Sequence, residues 1–480
     1  MATGHGRTSG SAGRRGAGMP AARAAASRAN KRRPRRSSAA RPAPTARSVA
    51  LGVIRRVVEE DAYSNLALSA ALDRSRLGER DRRLVAELAY GTLRRLVPLD
   101  AEIGVVARRD VATIDPPVIA VLRLGAFQLR HTRIPPHAAV SETVSLAPAR
   151  ARGFVNAVLR RVADTPLPAI EGDDDDAISR RTGLAPWAVA ELRRVLPPDE
   201  IDPAAAAFAS PAPMCLRVNT CRASFQDVDR ELRDAGLDPV AGTHHPDAIR
   251  IRSTDPSSLP AFAAGRVTVQ EEASMLVAAA LEARPGERVA DVCAGPGGKA
   301  THLACLVDPG KGRAGTGTTA VAADVSVARA GLVQAAARRL GVPLLVLAQD
   351  ARRPALREVF DGVLVDAPCS GIGAARRRPE LLWRPRRTEL AGLARLQVEI
   401  LCGAAELVRP GGRLVYSVCT FPRAETDAAA RAFLSKRNDF EPLAVPGPGG
   451  RAERHRLWPH RDGTDAMFFG GFRRRNRSSG

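Results

Sequence analysis

From Glu287 onward, short apolar segments alternate with stretches of helical composition. Six of these segments are predicted as strands: RVADV (288–292), TAVAAD (319–324), LLVLAQD (344–350), GVLVDAP (362–368), RLVYSVC (413–419) and AMFFGGF (466–472). Strands separated by crossover helices pair in parallel, and the helices cover the faces of the sheet. The C-terminal part of the chain is therefore predicted as a doubly wound, mainly parallel α/β sheet of the Rossmann-like type.

The first predicted strand runs into a glycine-rich turn, DVCAGPGGK (291–299). Gly295, Gly297 and Gly298 have no Cβ, so the backbone can approach a ligand closely, and the helix that follows offers free N–H groups. The turn lacks the spacing and the Lys-Ser/Thr ending of a P-loop. Considered without the rest of the sequence, this turn could also be only a tight connection between a strand and a helix that binds no ligand.

Acidic residues end the next three predicted strands: Asp324, Asp350 and Asp366. Ligands of open α/β sheets bind at the carboxyl ends of the strands, so these side chains are expected to face one crevice. A single aspartate at a strand end is more often a helix cap, but three at successive strand ends favour a ligand with ribose hydroxyls. With no metal–phosphate motif in the sequence, an adenosine-type cofactor is favoured over ATP.

Two of the seven cysteines follow predicted strands, in DAPCSGIG (366–373) and YSVCTF (416–421). Cys369 and Cys419 should point into the same crevice, whereas Cys215, Cys221, Cys305 and Cys402 are assigned to packing. The cysteines form no CxxC pair, which argues against a zinc site, and no metal is expected. Their odd number argues against a disulfide scaffold and indicates a reducing, cytoplasmic compartment.

The rest of the chain divides by composition. The predicted parts are a disordered Arg-rich tail (1–44), an all-helical domain (45–165), a linker with a helical piece (166–204), a small α+β module (205–265) and the α/β domain (266–475). Residues 1–47 contain 12 Arg/Lys and no acidic residue, within a net charge of +22. This charge indicates a nucleic-acid partner, although the tail taken alone is equally compatible with a solvated segment without a role. No segment has the roughly 20 consecutive apolar residues of a membrane span.

In order and spacing, DVCAGPGGK, VAADVSVARAG, AQDAR, DAPCSG, ELLWRP…LARLQVEIL and YSVCTFPRAE resemble the RNA cytosine-5 methyltransferases of the NOL1/NOP2/Sun family. Residues 47–162 resemble NusB, an RNA-binding all-α fold. The segments LRVN (216–219) and RVTVQEEAS (266–274) match family segments that flank the catalytic core. The resemblance implies three folded parts: a NusB-like all-helical domain, an α+β RNA-binding module and a Rossmann-like methyltransferase domain. It also implies S-adenosyl-L-methionine as the cofactor and RNA as the substrate.

The resemblance also implies site residues. Cys419 would be the nucleophile and Cys369 would assist product release, a choice that the spacing alone leaves open. Asp366 would contact the cytosine ring, and Lys299, one of only four lysines in the chain, would act near the cofactor or on a thiol. The residues implied to bind the cofactor are Cys293, Ala294, Gly295, Pro296, Gly297, Gly298, Lys299, Asp324, Arg329, Asp350 and Asp366.

Two alternatives to the main hypothesis stay open. The chain could be a non-catalytic RNA-binding factor of ribosome assembly, against which the presence of Cys369, Cys419, Asp366 and Lys299 argues. It could also methylate tRNA or DNA, whereas the NusB-like domain favours small-subunit (16S) rRNA by analogy at the level of the fold. A monomer without membrane contact is expected.

Overall fold

The computed structural model describes residues 44–476, except residues 168, 253–254, 309–318, 356–357 and 385–387. The predicted tail (1–44) lies outside the described residues apart from Pro44. Within the described ranges, no helix combines the length and the apolar character that a bilayer span requires.

Seven helices form the N-terminal part, and one apolar stripe on each faces a common core. In the first helix this stripe consists of Ala50, Val53, Ile54 and Val57, all at most 1% exposed. The prediction of an all-helical domain in this part of the chain is confirmed. The helices are α1 (Ala46–Glu59), α2 (Ser64–Arg74), α3 (Glu79–Arg94), α4 (Leu96–Ala107), α5 (Pro116–His131), α6 (Pro136–Leu146) and α7 (Arg152–Asp164).

The segment predicted as a linker contains three helices rather than one: α8 (Asp175–Thr182), α9 (Pro186–Arg193) and α10 (Ile201–Phe208). Apolar side chains of this segment, including Val189 and Phe208, pack in one cluster with Ile372 and Trp458 of the α/β domain. This part of the chain is therefore a packed layer on the α/β domain. Its helices have only eight residues each and therefore give a weak periodic signal in the sequence.

A four-stranded antiparallel sheet of order β2-β3-β1-β4 forms the small module. The strand β4 lies beyond the predicted boundary at residue 265, because it pairs with β1 rather than with the large sheet. The elements are β1 (Met214–Val218), α11 (Phe225–Asp234), β2 (Val240–Ala241), β3 (Ala248–Ile251), α12 (Pro260–Ala263) and β4 (Val267–Val269).

An eight-stranded sheet forms the core of the C-terminal domain and confirms the predicted doubly wound architecture. Its helices are α13 (Glu272–Ala280), α14 (Gly298–Val307), α15 (Val327–Leu340), α16 (Leu390–Ala405), α17 (Asp427–Lys436) and α18 (Pro459–Asp462). The strands after β4 are β5 (Val289–Asp291), β6 (Ala320–Asp324), β7 (Leu345–Ala348), β8 (Phe360–Asp366), β9 (Val408–Val418), β10 (Phe440–Leu443), β11 (Val445–Gly447), β12 (Gly450–Ala452), β13 (Arg454–Leu457) and β14 (Met467–Arg474).

The strand order of the large sheet is β10-β14-β9-β8-β5-β6-β7, with β13 also paired to β14. Strands β5 to β9 are mutually parallel, whereas β14 runs antiparallel to β9 and β10. The strands β10 to β13 were not predicted from the sequence. Because β5 lies between β6 and β8, and β8 lies next to β9, the ends of these four strands meet at one edge of the sheet.

A disulfide joins Cys221 and Cys305, whose Cα atoms are 6.0 Å apart. The prediction that both cysteines serve only in packing is therefore wrong, whereas one bridge is not the disulfide scaffold that the odd number of cysteines argued against. The two residues are separated by 84 positions in sequence, and they meet because α14 packs beside the turn that follows β1. The remaining cysteines are free thiols.

Candidate active site

The glycine-rich turn passes directly over the end of β6. A Cβ on Gly295 would lie 2.6 Å from Oδ2 of Asp324 and 2.9 Å from Cβ of Arg329, so a larger residue would displace one of these side chains. Gly297 adopts φ +113°, in the region that glycine favours, and precedes the first residue of α14. The peptide between Gly295 and Pro296 is cis. The predicted glycine-rich turn thus lies at the ends of the strands, where it could contact a ligand bound there.

Asp324 and Arg329 hold the turn in place. Oδ2 of Asp324 accepts a hydrogen bond from the backbone N–H of Gly295 at 3.1 Å, and it lies 3.3 Å from Nε of Arg329. Nη2 of Arg329 donates to the carbonyl oxygen of Gly295 at 2.6 Å. The structure therefore brings together three of the residues that the resemblance implied for cofactor binding.

Asp350 lies two residues beyond the end of β7 and is half-exposed. Its carboxylate pairs with Arg352, with Nη2 and Oδ2 2.7 Å apart. The residue before it, Gln349, donates its backbone N–H to the carbonyl oxygen of Asp324 at 3.0 Å. The two strand ends are thus adjacent, but no contact joins the Asp350 carboxylate to the other predicted residues within the described chain.

Lys299 and Asp366 form an ion pair at the carboxyl end of β8. Nζ of Lys299 lies 2.7 Å from Oδ2 of Asp366, and Ser417 donates from Oγ to Oδ1 at 2.8 Å. Burial lowers the pKa of the Lys299 amine, but the charge and the hydrogen bond of Asp366 outweigh it, so the pKa is raised. The amine therefore carries its positive charge beside the strand ends.

The two predicted cysteines meet, with the Sγ atoms of Cys369 and Cys419 3.5 Å apart. With Cys369 as the donor, this hydrogen bond lowers the pKa of the Cys419 thiol, and the charges of Lys299 and Arg378 act in the same direction. Burial and Asp366 oppose this effect without reversing it. The same hydrogen bond, together with burial, raises the pKa of Cys369 well above the ordinary range. Cys419 is therefore the more acidic thiol of the pair.

Glu425, which the sequence analysis did not single out, forms hydrogen bonds that join the segment after Cys369 to the segment after Cys419. It is fully buried and accepts hydrogen bonds from the backbone N–H and the hydroxyl of Ser370, at 2.8 and 2.6 Å. Nε2 of Gln397 donates both to Glu425 and to the carbonyl oxygen of Pro368, each at 3.0 Å. The hydroxyl of Ser370 also lies 2.7 Å from that of Thr420, so the residues that follow the two cysteines are directly joined.

Asp291, at the end of β5, is a second residue that sequence reasoning missed. It is 2% exposed, and its Oδ2 has no hydrogen-bond partner among the described residues. Burial raises its pKa to about 7, and the charge of Asp366 adds to this effect. A buried carboxylate oxygen without a protein partner is rare and indicates a ligand site. Its position in DVCAGPGGK was the available sequence signal.

One group of metal-ligating side chains occurs outside this crevice, among the residues that the structure describes. Potential ligand atoms of His245, Asp247 and His302 lie within 4.8 Å of one another. However, the charge of the buried Arg217 acts on both histidines, and Nδ1 of His245 already accepts a hydrogen bond from the backbone N–H of Asp247. The expectation that the protein needs no metal stays a prediction.

Three family models match successive parts of the chain. They describe the NusB family (residues 44–164), an RsmF/B-like ferredoxin-like domain (185–256) and the 16S rRNA methyltransferase RsmB/F (278–473). Their order is that of the helical domain, the small module and the large sheet. The ferredoxin-like match includes α9 and α10. These helices therefore belong to a folded domain, as their packing shows, and not to a linker.

Curated relatives match nearly the whole chain. A putative methyltransferase of Mycobacterium tuberculosis is 39% identical over 468 residues, which cover 90% of this chain and 97% of that protein. A probable ribosomal RNA small subunit methyltransferase B of Bacillus subtilis is 32% identical, over 89% of this chain and 98% of that protein. The ribosomal RNA small subunit methyltransferase B of Klebsiella pneumoniae is also 32% identical, over 88% and 96%.

Two crystal structures share the fold. That of PH0851 superimposes with a TM-score of 0.73 at 26% identity and covers 90% of this chain and 99% of that chain. That of NSun6 from Pyrococcus horikoshii with SFG superimposes with a TM-score of 0.53 at 21% identity, over 60% of this chain and 98% of that chain, and supports the fold alone. With its NusB domain, ferredoxin-like module, paired cysteines and relatives matched along almost their full length, the chain belongs to the RsmB/F family of methyltransferases.

Proposed function

We propose that this methyltransferase transfers a methyl group from S-adenosylmethionine to carbon 5 of a cytosine in small-subunit rRNA. The observation that carries the proposal is the pair of Cys369 and Cys419, 3.5 Å apart beside the Lys299–Asp366 ion pair. The pair lies at the same strand ends as the glycine-rich turn. A nucleophile for the base and a cradle for the methyl donor would therefore share one crevice.

The chemistry explains why this reaction needs a thiolate. Carbon 5 of cytosine is too weak a nucleophile to take a methyl group, but addition of a thiolate to carbon 6 turns the ring into an enamine. Carbon 5 then takes the methyl group. The proton at carbon 5 leaves to a base, the bond between carbon 6 and sulfur breaks, and the thiolate is regenerated.

Cys419 is the proposed nucleophile because its thiol is the more acidic of the two, and thiolates rather than thiols attack. Cys369 holds Cys419 through the hydrogen bond between the two sulfur atoms and is proposed to assist product release. Asp366 is proposed to face the edge of the cytosine ring, and Lys299 to supply positive charge beside the thiolate. Glu425 positions both cysteine segments through the residues that follow the cysteines.

The residues present fit S-adenosylmethionine, which when bound supplies an electrophilic methyl group. A Cβ at Gly295 would fill the space above Asp324, and the unpartnered Oδ2 of Asp291 suits a cationic group such as an amine. Asp324 is proposed to accept hydrogen bonds from the ribose hydroxyls, with Asp350 on the adenine side. Cys293 to Lys299, with Arg329 and Asp366, complete the proposed cofactor site.

An RNA substrate is supported by the NusB domain, the net charge of +22 and the names of the curated relatives. A base within folded RNA must leave its stack to reach the crevice. We further propose that the enzyme acts as a monomer and that its substrate places it in the bacterial cytoplasm.

Transfer of labelled methyl groups tests the proposal. The full chain would be incubated with tritiated S-adenosylmethionine and unmodified 16S rRNA, and the RNA digested to nucleosides. We expect the label in 5-methylcytidine, with an Asp324→Ala variant as the control for cofactor use. Label in another nucleoside, a preference for tRNA over rRNA, or RNA binding without any transfer would each contradict the proposal.

A further inference from the structure

The loop between α1 and α2 of the NusB-like domain presents an aromatic ring at the surface. Tyr63 is 46% exposed, and among the described residues it is the only aromatic side chain in the group of exposed large hydrophobic residues. The chain has only 18 Phe, Trp and Tyr residues, so an exposed one is uncommon here. A single exposed apolar residue needs no explanation by itself, so the surroundings of Tyr63 decide what it means.

Those surroundings belong to the catalytic loop. The guanidinium of Arg378 lies 4.6 Å from the centre of the Tyr63 ring, in a cation–π contact. Arg378 follows Cys369 on the same loop after β8, and its charge acts on the Cys419 thiol. Tyr63, from the N-terminal domain, therefore lies next to a side chain of the loop that carries Cys369 in the methyltransferase domain.

Hydrogen bonds hold both the backbone next to Tyr63 and the guanidinium that contacts its ring. Arg384 donates from Nη2 to the carbonyl oxygen of Ala62 at 2.8 Å, which holds the residue before Tyr63. Nε of Arg378 donates to the fully buried Glu380 at 3.3 Å, which orients the guanidinium. A ring and a guanidinium that are already held lose little conformational freedom when a ligand binds.

We propose that Tyr63 and Arg378 form a stacking platform for an unpaired RNA base next to the target cytosine. This inference rests on the proposed function, since it assumes an RNA substrate in the crevice. Single-stranded bases bind proteins by stacking on aromatic rings and on arginine planes, and both are present here. Arg378 occupies one side of the ring, and the exposed part of the ring is available to a base. The N-terminal domain would thus take part in placing the substrate at the catalytic cysteines.

Substitutions of Tyr63 test the platform. Tyr63→Leu keeps the apolar bulk and removes the ring, whereas Tyr63→Phe and Tyr63→Trp keep a ring. We expect Tyr63→Leu to raise the Kd and the KM for 16S rRNA roughly 5- to 100-fold, with kcat at saturating RNA and the affinity for S-adenosylmethionine unchanged. Tyr63→Phe and Tyr63→Trp should bind nearly as wild type, and RNA should quench the fluorescence of the indole that Tyr63→Trp introduces.

Leu66→Ala provides the matched control, since Leu66 is 62% exposed on the helix that follows Tyr63. Wild-type affinity in Tyr63→Leu would overturn the platform, as would an equal loss in Tyr63→Phe, which would point to the hydroxyl instead. A loss of affinity for S-adenosylmethionine would show a merely structural effect and would also overturn it. Because rRNA binding is measured without catalysis, failure of the proposed methyl transfer would appear separately, as wild-type protein that binds RNA but forms no 5-methylcytidine.

Discussion

The hydrogen bond from Cys369 and individual nearby charges make Cys419 the more acidic thiol of the pair. The ammonium group of Lys299 lies beside Asp366 and acts on Cys419, and it favours the thiolate. A lysine supplies a compact point charge that an arginine does not reproduce. In a chain whose basic residues are almost all arginine, we propose that this lysine is required for its compact charge.

Lys299→Met should raise the pKa of Cys419, because it removes a positive charge and leaves Asp366 unpaired. The alkylation of Cys419 by iodoacetamide, followed by mass spectrometry of its peptide, should then reach half its maximal rate at a higher pH than in wild type. Lys436→Met, at the exposed end of α17, should leave the profile unchanged. Identical profiles for Lys299→Met and wild type would contradict the role of this charge.

The burial of Asp291 predicts a pH-dependent stability. Its pKa of about 7 in the folded protein lies above that of about 4 in an unfolded chain. The folded state therefore binds the proton more tightly, and wild type should lose stability as the pH rises from about 4 to about 7. Asp291→Asn keeps an acceptor for the N–H of Cys293 and cannot ionise.

In chemical denaturation without cofactor, we expect Asp291→Asn to gain about 2–4 kcal/mol over wild type at pH 8, and little at pH 4. Asp234→Asn, on the exposed end of α11, serves as the control. If Asp291→Asn changes the free energy of unfolding equally at both pH values, burial does not raise the pKa of this carboxyl group.

At the scale of elements, the site depends on how closely α15 packs against the glycine-rich turn. A Cβ on Gly297 would lie 3.1 Å from Cα of Val333 in α15, and φ +113° already strains any other residue. Gly297→Ala should destabilise the fold by about 1–3 kcal/mol and weaken the binding of S-adenosylmethionine at least about tenfold. Calorimetric titration and denaturation measure these two effects.

The same helix offers the control. A Cβ on Gly331 would have no neighbouring atom within 4 Å, so Gly331→Ala should be neutral or stabilise the helix by up to about 1 kcal/mol. If Gly297→Ala binds S-adenosylmethionine as Gly331→Ala does, the turn is not part of the cofactor site.

The sequence predicted those elements whose signal is local. Strands β5, β6, β8 and β9 carry apolar runs that end in an acid or a motif, and all four were predicted near their observed positions. The strand β4 was not predicted, and the boundary of the small module was placed before it, because pairing across more than 40 residues, here between Leu216 and Val269, leaves no local signal. The strands β10 to β13 were missed because they are short or interrupted by proline and glycine.

The candidate site shows the same division. Asp324, Asp366, Cys369 and Cys419 could be found because strand ends and motifs mark them. Asp291 also ends a strand and lies in a motif, so the sequence offered the same signal for it, but not its burial. Glu425 could not be found, because what distinguishes it is burial and the hydrogen-bond partners of its carboxylate, which only the folded chain creates. The disulfide between Cys221 and Cys305 depends in the same way on packing.

At the scale of the molecule, the N-terminal domain is docked on the segment that continues the loop carrying Cys369. Nε1 of Trp383 donates to the carbonyl oxygen of Leu93 at 3.0 Å, and Nη2 of Arg384 donates to that of Val57 at 3.0 Å. Arg94 donates in the other direction, to the carbonyl oxygen of Arg376 at 3.1 Å. RNA bound to the helical domain would therefore lie close to the loop that carries Cys369.

The basic N-terminal segment adds charge outside these domains. Deletion of residues 1–43, which contain no acidic residue, should weaken rRNA binding and make it less dependent on salt, because fewer counterions are released. Fluorescence anisotropy between about 50 and about 200 mM salt measures the slope, which should become shallower. The kcat at saturating RNA should not change. An unchanged slope would show that these residues do not contact the RNA.

The central claim is that Cys419 attacks the cytosine while Cys369 assists release. Its most direct test compares Cys419→Ala and Cys369→Ala after incubation with S-adenosylmethionine and 16S rRNA, by denaturing electrophoresis and mass spectrometry of the cross-linked peptide. Cys369→Ala should accumulate a covalent protein–RNA complex joined through Cys419, and Cys419→Ala should form neither complex nor 5-methylcytidine. Turnover by Cys419→Ala, or a complex joined through Cys369, would contradict the account.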